Sequence, residues 1–180
     1  MTGPAVTQGC LLVASPGLLD PNFARAVVMV ITHDGEGSFG LVLNRPLGHT
    51  LVDVLPDVVA AAARIPVLQG GPVQTDMLQF VCRSESSGRV LLPGLAVGAA
   101  LNELLEAHPA GDGVRAYLGY AGWGAGQLEH ETAEGSWIVA PARVEHVFDV
   151  PADQLWATVL RELGGRYAWM AFGSGNPGDN

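Results

Sequence analysis

The glycine-rich stretch at residues 119–131, GYAGWGAGQLEHE, constrains the fold of this chain more than any other segment. It places four glycines and a tryptophan between a strand-like run at 113–118 and a short acidic helix candidate. Glycine allows backbone conformations and close backbone approaches that other residues resist. We therefore expect tight backbone packing here, with the glycines letting Trp123 and Trp137 approach each other.

A phosphate-binding loop is a minor alternative for the same stretch. A strand, a glycine turn and a helix can direct backbone amides at an anion. However, Gly122, Gly124 and Gly126 give G-x-G-x-G spacing rather than G-x-G-x-x-G, and the chain contains no lysine for a Walker-type contact. The helix that follows carries three glutamates, at 129, 131 and 134. An unspecified ligand crevice is the remaining alternative.

Hydrophobic patterning elsewhere predicts an α+β protein. Two hairpins are expected, one turning at 33–38 and one at 86–88, because glycine-containing turns separate strand-like runs there. Apolar residues at helical spacing predict two helices. The predicted strands are 10–14, 25–32, 39–44, 66–69, 77–83, 89–92, 113–118, 137–140 and 143–148, and the predicted helices are 95–108 and 151–163.

Length and composition favour one domain. A chain of 180 residues with 48% apolar residues can build one sizeable core. We predict this domain at 9–172, with a flexible amino-terminal segment at 1–8 and a flexible tail at 173–180. The cysteines, Cys10 and Cys82, lie in separate strand-like runs and are expected to be buried thiols.

Charge and targeting signals limit the classes of partner. The net charge of −9 would repel phosphate backbones, so direct nucleic-acid binding is not expected. The first residues lack the features of a secretory signal, and no apolar run approaches the ~20 residues needed to cross a bilayer. The sequence therefore predicts a cytoplasmic protein without a membrane partner. It leaves the oligomeric state and the identity of any protein or small-molecule partner open.

The sequence contains no recognisable catalytic constellation, metal site or cofactor motif. His130 and Glu131 begin like H-E-x-x-H, but the fifth residue is Glu134, and a surface helix is the expected explanation. Cys82 stands beside Arg83, but neighbours in a strand point to opposite faces, so the arginine is not expected to activate the thiol. Asn44 and Arg45 follow a predicted strand, where they could recognise a carboxylate or a backbone segment or simply pair locally.

Three blocks of sequence resemble the YqgE/AlgH family of bacterial proteins. They are LLVASPGLLDPNFARAVVMVITHDGEGSFGLVLNRPL at 11–47, LQGGPVQTD at 68–76 and LGYAGWGAGQLEHE at 118–131, followed by Trp137 and the 151–163 helix. The resemblance covers nearly the whole chain. One block departs from it, because the family usually continues GGPVQTD with an Arg-Gly-Phe-Val-Leu-His type strand where this chain has MLQFVCR. Any role for that histidine is lost here.

The resemblance implies a compact single-domain α+β fold, with a mainly antiparallel, branched and partly barrel-like sheet flanked by helices. It implies no established enzymatic activity, cofactor or catalytic residue. One family name comes from regulation of exopolysaccharide production, which suggests a regulatory role. The acidic charge and the absence of a basic helix argue against direct DNA binding in that role.

Two functional hypotheses follow. The first is a cytosolic, non-enzymatic module that binds a protein or small ligand. Its candidate lining residues are Phe23, Asn44, Arg45, Gly70, Gly71, Trp123 and Gln127. The second is a small-molecule enzyme with a pocket near the glycine-rich stretch, using Cys82, His33 or Glu129.

Overall fold

The computed structural model describes residues 3–173. Within this range the chain forms ten strands, six α-helices and one 3₁₀ turn at Ala60–Ala62. The strands are β1 (Leu11–Ala14), β2 (Val27–Asp34), β3 (Gly37–Val42), β4 (Pro46–Thr50), β5 (Pro66–Gln69), β6 (Val73–Arg83), β7 (Arg89–Leu92), β8 (Leu95–Val97), β9 (Val114–Gly124) and β10 (Trp137–Ala140). The helices are α1 (Leu51–Val54), α2 (Leu101–Ala107), α3 (Gln127–Ala133), α4 (Val144–Phe148), α5 (Ala152–Leu163) and α6 (Gly165–Phe172).

The strands form one branched sheet that stays open rather than closing into a barrel. Its main path runs β10-β1-β2-β3-β9-β6-β8-β7, and β4 and β5 branch from it. The pairing is antiparallel except for β5 on β9, which is parallel. The predicted single-domain α+β class with a mainly antiparallel, branched sheet and flanking helices is confirmed.

The branch lies in β9, which changes partners along its length. Its first half pairs with β5 and β6, and its second half pairs with β3. Gly119 marks the change, with a positive φ of 73°. Opposite it, the register of β6 is irregular between Val73 and Leu78. A left-handed residue facing this irregularity lets one strand belong to two parts of the sheet.

Gly70 and Gly71 fill the narrow space beside this change of partners. A methyl group on Gly71 would lie 2.1 Å from the carbonyl carbon of Tyr120, and one on Gly70 would lie 2.3 Å from the carbonyl oxygen of Gly119. Both distances are shorter than the closest approach of non-bonded heavy atoms. The two glycine blocks that the sequence analysis singled out therefore meet, backbone against backbone.

The cores follow from the alternation of side chains along the strands. Leu11 points to a cluster closed by Trp156 and the other apolar residues of α5 and α6, while Leu12 points to a cluster on the opposite face that includes Leu128 of α3. A third cluster lies against the branch and includes Leu104 of α2. The end of the sheet that carries β10 is consequently covered on both faces.

Two predicted elements around residues 77–108 are wrong. The second hairpin was expected to pair 77–83 with 89–92, but β8 lies between β6 and β7 and pairs with both. The predicted helix at 95–108 therefore begins later, at Leu101, because Leu95–Val97 is this inserted strand. Gly98, with a φ of 79°, ends the strand, a break that the helical spacing concealed.

The predicted strand at 143–148 is also wrong, because these residues form α4. Buried His146 explains the difference. Its Nδ1 accepts the Arg143 backbone N–H at 3.0 Å, and its Nε2 lies 2.8 Å from Glu162 Oε2 on α5. These tertiary contacts favour a helical turn over the strand that the apolar composition suggested.

The ends of the described chain differ from each other. Residues 3–8 have no helix or strand, although Val6 packs on the α3 face of the sheet. At the other end, α6 extends to Phe172, and the tail predicted at 173–180 lies outside the described residues except for Gly173. None of the helices in the described range is long and apolar enough to cross a membrane.

Gly71→Ala tests the close contact at the branch. We expect it to lower the free energy of unfolding by about 3 kcal/mol, because the new methyl group must displace the backbone of β9. Urea denaturation measures the change. The control is Gly17→Ala, whose added methyl group would have no heavy atom within 4 Å and should change stability by less than about 0.5 kcal/mol. Equal stability of the two variants would contradict the packing argument.

Candidate functional site

The seven predicted lining residues do not converge on one cleft. They divide into an aromatic group with Phe23, Trp123 and Gln127, a polar pair of Asn44 and Arg45, and the Gly70–Gly71 pair described above. Each set makes contacts that hold parts of the fold together. Ligand binding by these residues stays a prediction.

The aromatic group is organised by one carboxylate. Trp123 and Trp137 meet edge to face, with ring centroids 5.9 Å apart, and Phe23 contacts both rings. Both indole Nε1–H groups donate to Glu131 Oε2 at 2.9 Å. The expected approach of the two tryptophans therefore occurs, and Glu131 fixes it.

The glycines next to Trp123 contribute less to this approach than the sequence suggested. β9 continues as a strand through Gly124, so the stretch is largely strand rather than loop. A methyl group on Gly126 would have open space around it. The glycine that close packing requires is Gly119, at the branch. Gln127 begins α3 and accepts the Gly124 N–H at 3.0 Å, while its Nε2 donates to Glu131 Oε1 at 2.9 Å.

Asn44 and Arg45 hold the segment that leads into β2. Asn44 is buried, accepts the Val27 N–H at 2.9 Å and donates to the Arg25 carbonyl at 2.9 Å. The Arg45 guanidinium donates to the Ala24 carbonyl at 2.5 Å, and partial burial lowers its pKa. A crevice of about 60 Å³ lies beside Arg45 and Gly71, which is too small for most metabolites.

A groove of about 850 Å³ lies beside β10. We call it the edge groove. Its walls come from the amino-terminal segment, α3, β10 and α6, with additional contributions from Ser15 and His33. It is lined by Gly3, Pro4, Ala5, Val6, Ser15, His33, Glu129, Thr132, Ala133, Gly135, Trp137, Ile138, Val139, Arg166, Tyr167 and Met170.

The edge groove follows the open side of β10. Three successive residues of this strand, Trp137 to Val139, line it. Trp137 and Val139 belong to the core on the α3 face, whereas Ile138 packs with the core on the α6 face. A cavity that touches both faces must run along the strand's edge. Among the described strands, only β1 pairs with β10, so the opposite edge is unpaired.

Polar groups stand on the walls of this groove. His33 Nε2 lies 3.5 Å from Glu129 Oε1, and His33 Nδ1 lies 2.7 Å from the hydroxyl of buried Ser38. On the α6 wall, Arg166 donates to the Tyr167 hydroxyl at 3.0 Å. His33 and Glu129 are separate candidates for the enzymatic alternative in the sequence, and the fold places them together.

The cysteine of that alternative lies elsewhere. Cys82 is fully buried in the third core cluster and does not line the edge groove. Burial raises the pKa of its thiol, which keeps the thiol protonated and poorly nucleophilic. His130 of α3 and Glu134, which follows the end of α3, form an exposed pair 3.3 Å apart. No group of three metal-ligating side chains occurs in residues 3–173.

Sequence reasoning missed the edge groove because two of its walls looked unstructured. The amino-terminal segment has no periodic pattern, and residues after Gly165 follow a glycine pair that reads as a helix end. The sequence pattern that could have predicted the α6 wall is the run RYAWMAF at 166–172, where Tyr167, Met170 and Ala171 lie at helical spacing.

Glu131→Ala tests the carboxylate that holds Trp123, Trp137 and α3. We expect a loss of about 2–3 kcal/mol in the free energy of unfolding, because two buried indole N–H groups lose their charged acceptor. Urea denaturation followed by tryptophan fluorescence measures it. The control is Glu134→Ala at the end of the same helix, an exposed partner of His130 whose removal should cost less than about 0.5 kcal/mol. Similar losses in both variants would contradict this role for Glu131.

Comparison with known proteins identifies the family that shares this architecture. The AlgH-like family model matches residues 11–168. A UPF0301 protein from Thioalkalivibrio sulfidiphilus is 40% identical over 174 residues, covering 91% of this chain and 93% of the relative. One from Streptomyces coelicolor is 41% identical over 181 residues, covering 95% of this chain and 94% of the relative.

Solved structures agree with these matches. The solution structure of the AlgH protein from Pseudomonas aeruginosa superimposes with a TM-score of 0.73 at 32% identity, covering 98% of this chain and all of that one. A crystal structure of a protein from Corynebacterium diphtheriae gives a TM-score of 0.80 at 26% identity, covering 95% and 94%. With the family model, the relatives and the fold in agreement, this chain belongs to the AlgH-like family.

Proposed function

We propose that the protein is a cytoplasmic, non-enzymatic binding module that captures an extended segment of a partner protein in the edge groove. A regulatory role, exerted through that partner, is part of the proposal. The observation that carries it is the course of the groove along the unpaired edge of β10.

Backbone N–H and C=O groups of β10 would supply the hydrogen bonds to the partner segment. In an antiparallel pair, alternate residues direct their N–H and C=O groups to one neighbour, and the others direct theirs away from it. Because β10 has only β1 beside it among the described strands, its outward groups face the groove. An extended peptide can pair with such an edge and gain affinity from main-chain hydrogen bonds, irrespective of its sequence.

The two faces of the groove supply selectivity. Side chains of an added strand alternate between faces, so successive residues would contact different walls. One wall presents Met170 and Tyr167 of α6, and the other presents Val6 and Ala133. Apolar side chains at alternate positions of the partner segment would fill these walls.

The same walls restrict what can pair with β10. Unprotected strand edges invite aggregation, and proteins commonly shield them with neighbouring elements. Here residues of α3 and α6 both line the groove beside the edge, so these helices would hinder the approach of a second sheet. The net charge of −9 favours encounter with a basic partner, and added salt would slow that encounter.

Selection from a random linear peptide library displayed on phage tests this proposal. We expect recovered peptides to carry apolar residues at alternate positions. Added to labelled protein, they should shift the backbone amide signals of residues 137–140 and slow their hydrogen exchange. Ala133→Arg, which places a long side chain in the groove, should weaken binding at least tenfold, equivalent to about 1.4 kcal/mol.

The matched control is Ala110→Arg, an exposed alanine outside the groove lining. It should bind the selected peptides as the parent protein does. Failure to enrich any peptide, or shifts that avoid β10, would contradict the proposal. Equal weakening by both arginine variants would indicate a general charge effect instead.

The contacts of His33 favour one alternative, a small-molecule enzyme that uses His33 and Glu129 as an acid–base pair. Their 3.5 Å separation on a groove wall suits proton transfer to a bound substrate. The expected result for such an enzyme is turnover of a generic ester or amide substrate that falls at least about a hundredfold in His33→Ala and Glu129→Gln. His130→Ala, on the exposed pair of α3, is the control and should retain activity. Absence of turnover in the parent protein would contradict the alternative.

A further inference from the structure

A second cavity, of about 400 Å³, lies between strands of the two parts of the sheet. We call it the interstrand cavity. It is separate from the edge groove and shares none of its lining residues. It is lined by Ile31, Leu41, Gln79, Phe80, Gly88, Arg89, Val97 and Gly98.

The cavity has an apolar floor and an open mouth. Ile31, Leu41 and Val97 are buried members of the core that α5 closes. Gly88, Arg89 and Gly98 are exposed, so they form the entrance. A small apolar group of a ligand can therefore enter the cavity, where its surface is removed from contact with water.

Gln79 lines this cavity, and its side chain carries an unused hydrogen-bond donor. Its side-chain Nε2 is buried and has no hydrogen-bond partner within the described part of the chain. A buried amide N–H without an acceptor is costly, and such groups in native proteins call for a partner. A ligand oxygen in the cavity would supply one.

Arg89 provides positive charge at the entrance. One extra residue in β2, between Val30 and Thr32, leaves Ile31 outside the ladder with β3. Arg89 Nη2 reaches across from β7 and donates to the Ile31 carbonyl at 3.0 Å. A guanidinium has five N–H donors, so this bond leaves others for an anion.

We propose that the interstrand cavity binds a small monocarboxylate with an apolar body. The planar guanidinium of Arg89 matches the two oxygens of a carboxylate, and Gln79 donates to the same group. The hydrocarbon part of the ligand lies on Ile31, Leu41 and Val97. A single negative charge suits a site with one arginine and an apolar floor, whereas a doubly charged phosphate would leave charge uncompensated.

Titrations of the full chain with hexanoate and benzoate, followed by NMR of the labelled protein, test this site. We expect shifts in the Gln79 side-chain amide and in the backbone amides around residues 79, 89 and 97. Hexanol and benzyl alcohol, which have the same apolar bodies without the charge, should bind at least tenfold more weakly. Inorganic phosphate should not compete.

Two variants separate binding from folding. Arg89→Gln removes an exposed charge and should weaken carboxylate binding at least tenfold. Gln79→Leu removes the unpaired amide, so it should weaken binding similarly while raising the melting temperature of the free protein by a few degrees. The matched controls, Arg161→Gln and Gln154→Leu, lie at exposed positions on α5 and should change neither the binding nor the shifts.

Several results would overturn the proposal. They are absence of shifts with both carboxylates, equal binding of the alcohols, preferential binding of phosphate, or full binding by Arg89→Gln. A lower melting temperature in Gln79→Leu would mean that the amide already has a stabilising partner, such as a retained water. None of these results bears on peptide capture in the edge groove, which is tested separately with Ala133→Arg and Ala110→Arg.

Discussion

The close contact between Gly71 and β9 is the constraint on which the sheet depends. At Gly119 the strand leaves β5 and β6 and joins β3, and the backbone of residues 70 and 71 lies against it where no side chain could fit. This contact packs the segment between β5 and β6 against the strand that the two parts of the sheet share. The branch also sets where everything else lies, because it directs one series of strands toward β10 and the other toward β7.

The two cavities occupy positions that this branching creates. The edge groove follows the last strand of one series, where helices from both faces rise beside an unpaired edge. The interstrand cavity lies where strands of the two series face each other across the interior, bridged by Arg89 and Ile31. We propose the first as a site for backbone recognition and the second as a site for a small charged group on an apolar body.

The sequence was informative about local elements and much less so about their assembly. The strand at 137–140 and the helix closed by Gly164 follow from short-range patterns, and the structure places both as expected. Two segments were misassigned because contacts distant in sequence decide their structure. Residues 95–97 form β8, which inserts between β6 and β7, and residues 143–148 form a helix around buried His146, which contacts Glu162. The edge groove escaped prediction for the same reason, since no local pattern reveals which strand ends a sheet.

The wall formed by residues 3–6 has a practical consequence for how the protein is handled. These residues border the edge groove directly, so any sequence joined ahead of them begins beside β10. A purification tag added at that end would be tethered close to this unpaired strand edge, where an extended segment of the tag would compete with an added polypeptide. Material for studies of the groove should therefore be prepared with that tag cleaved.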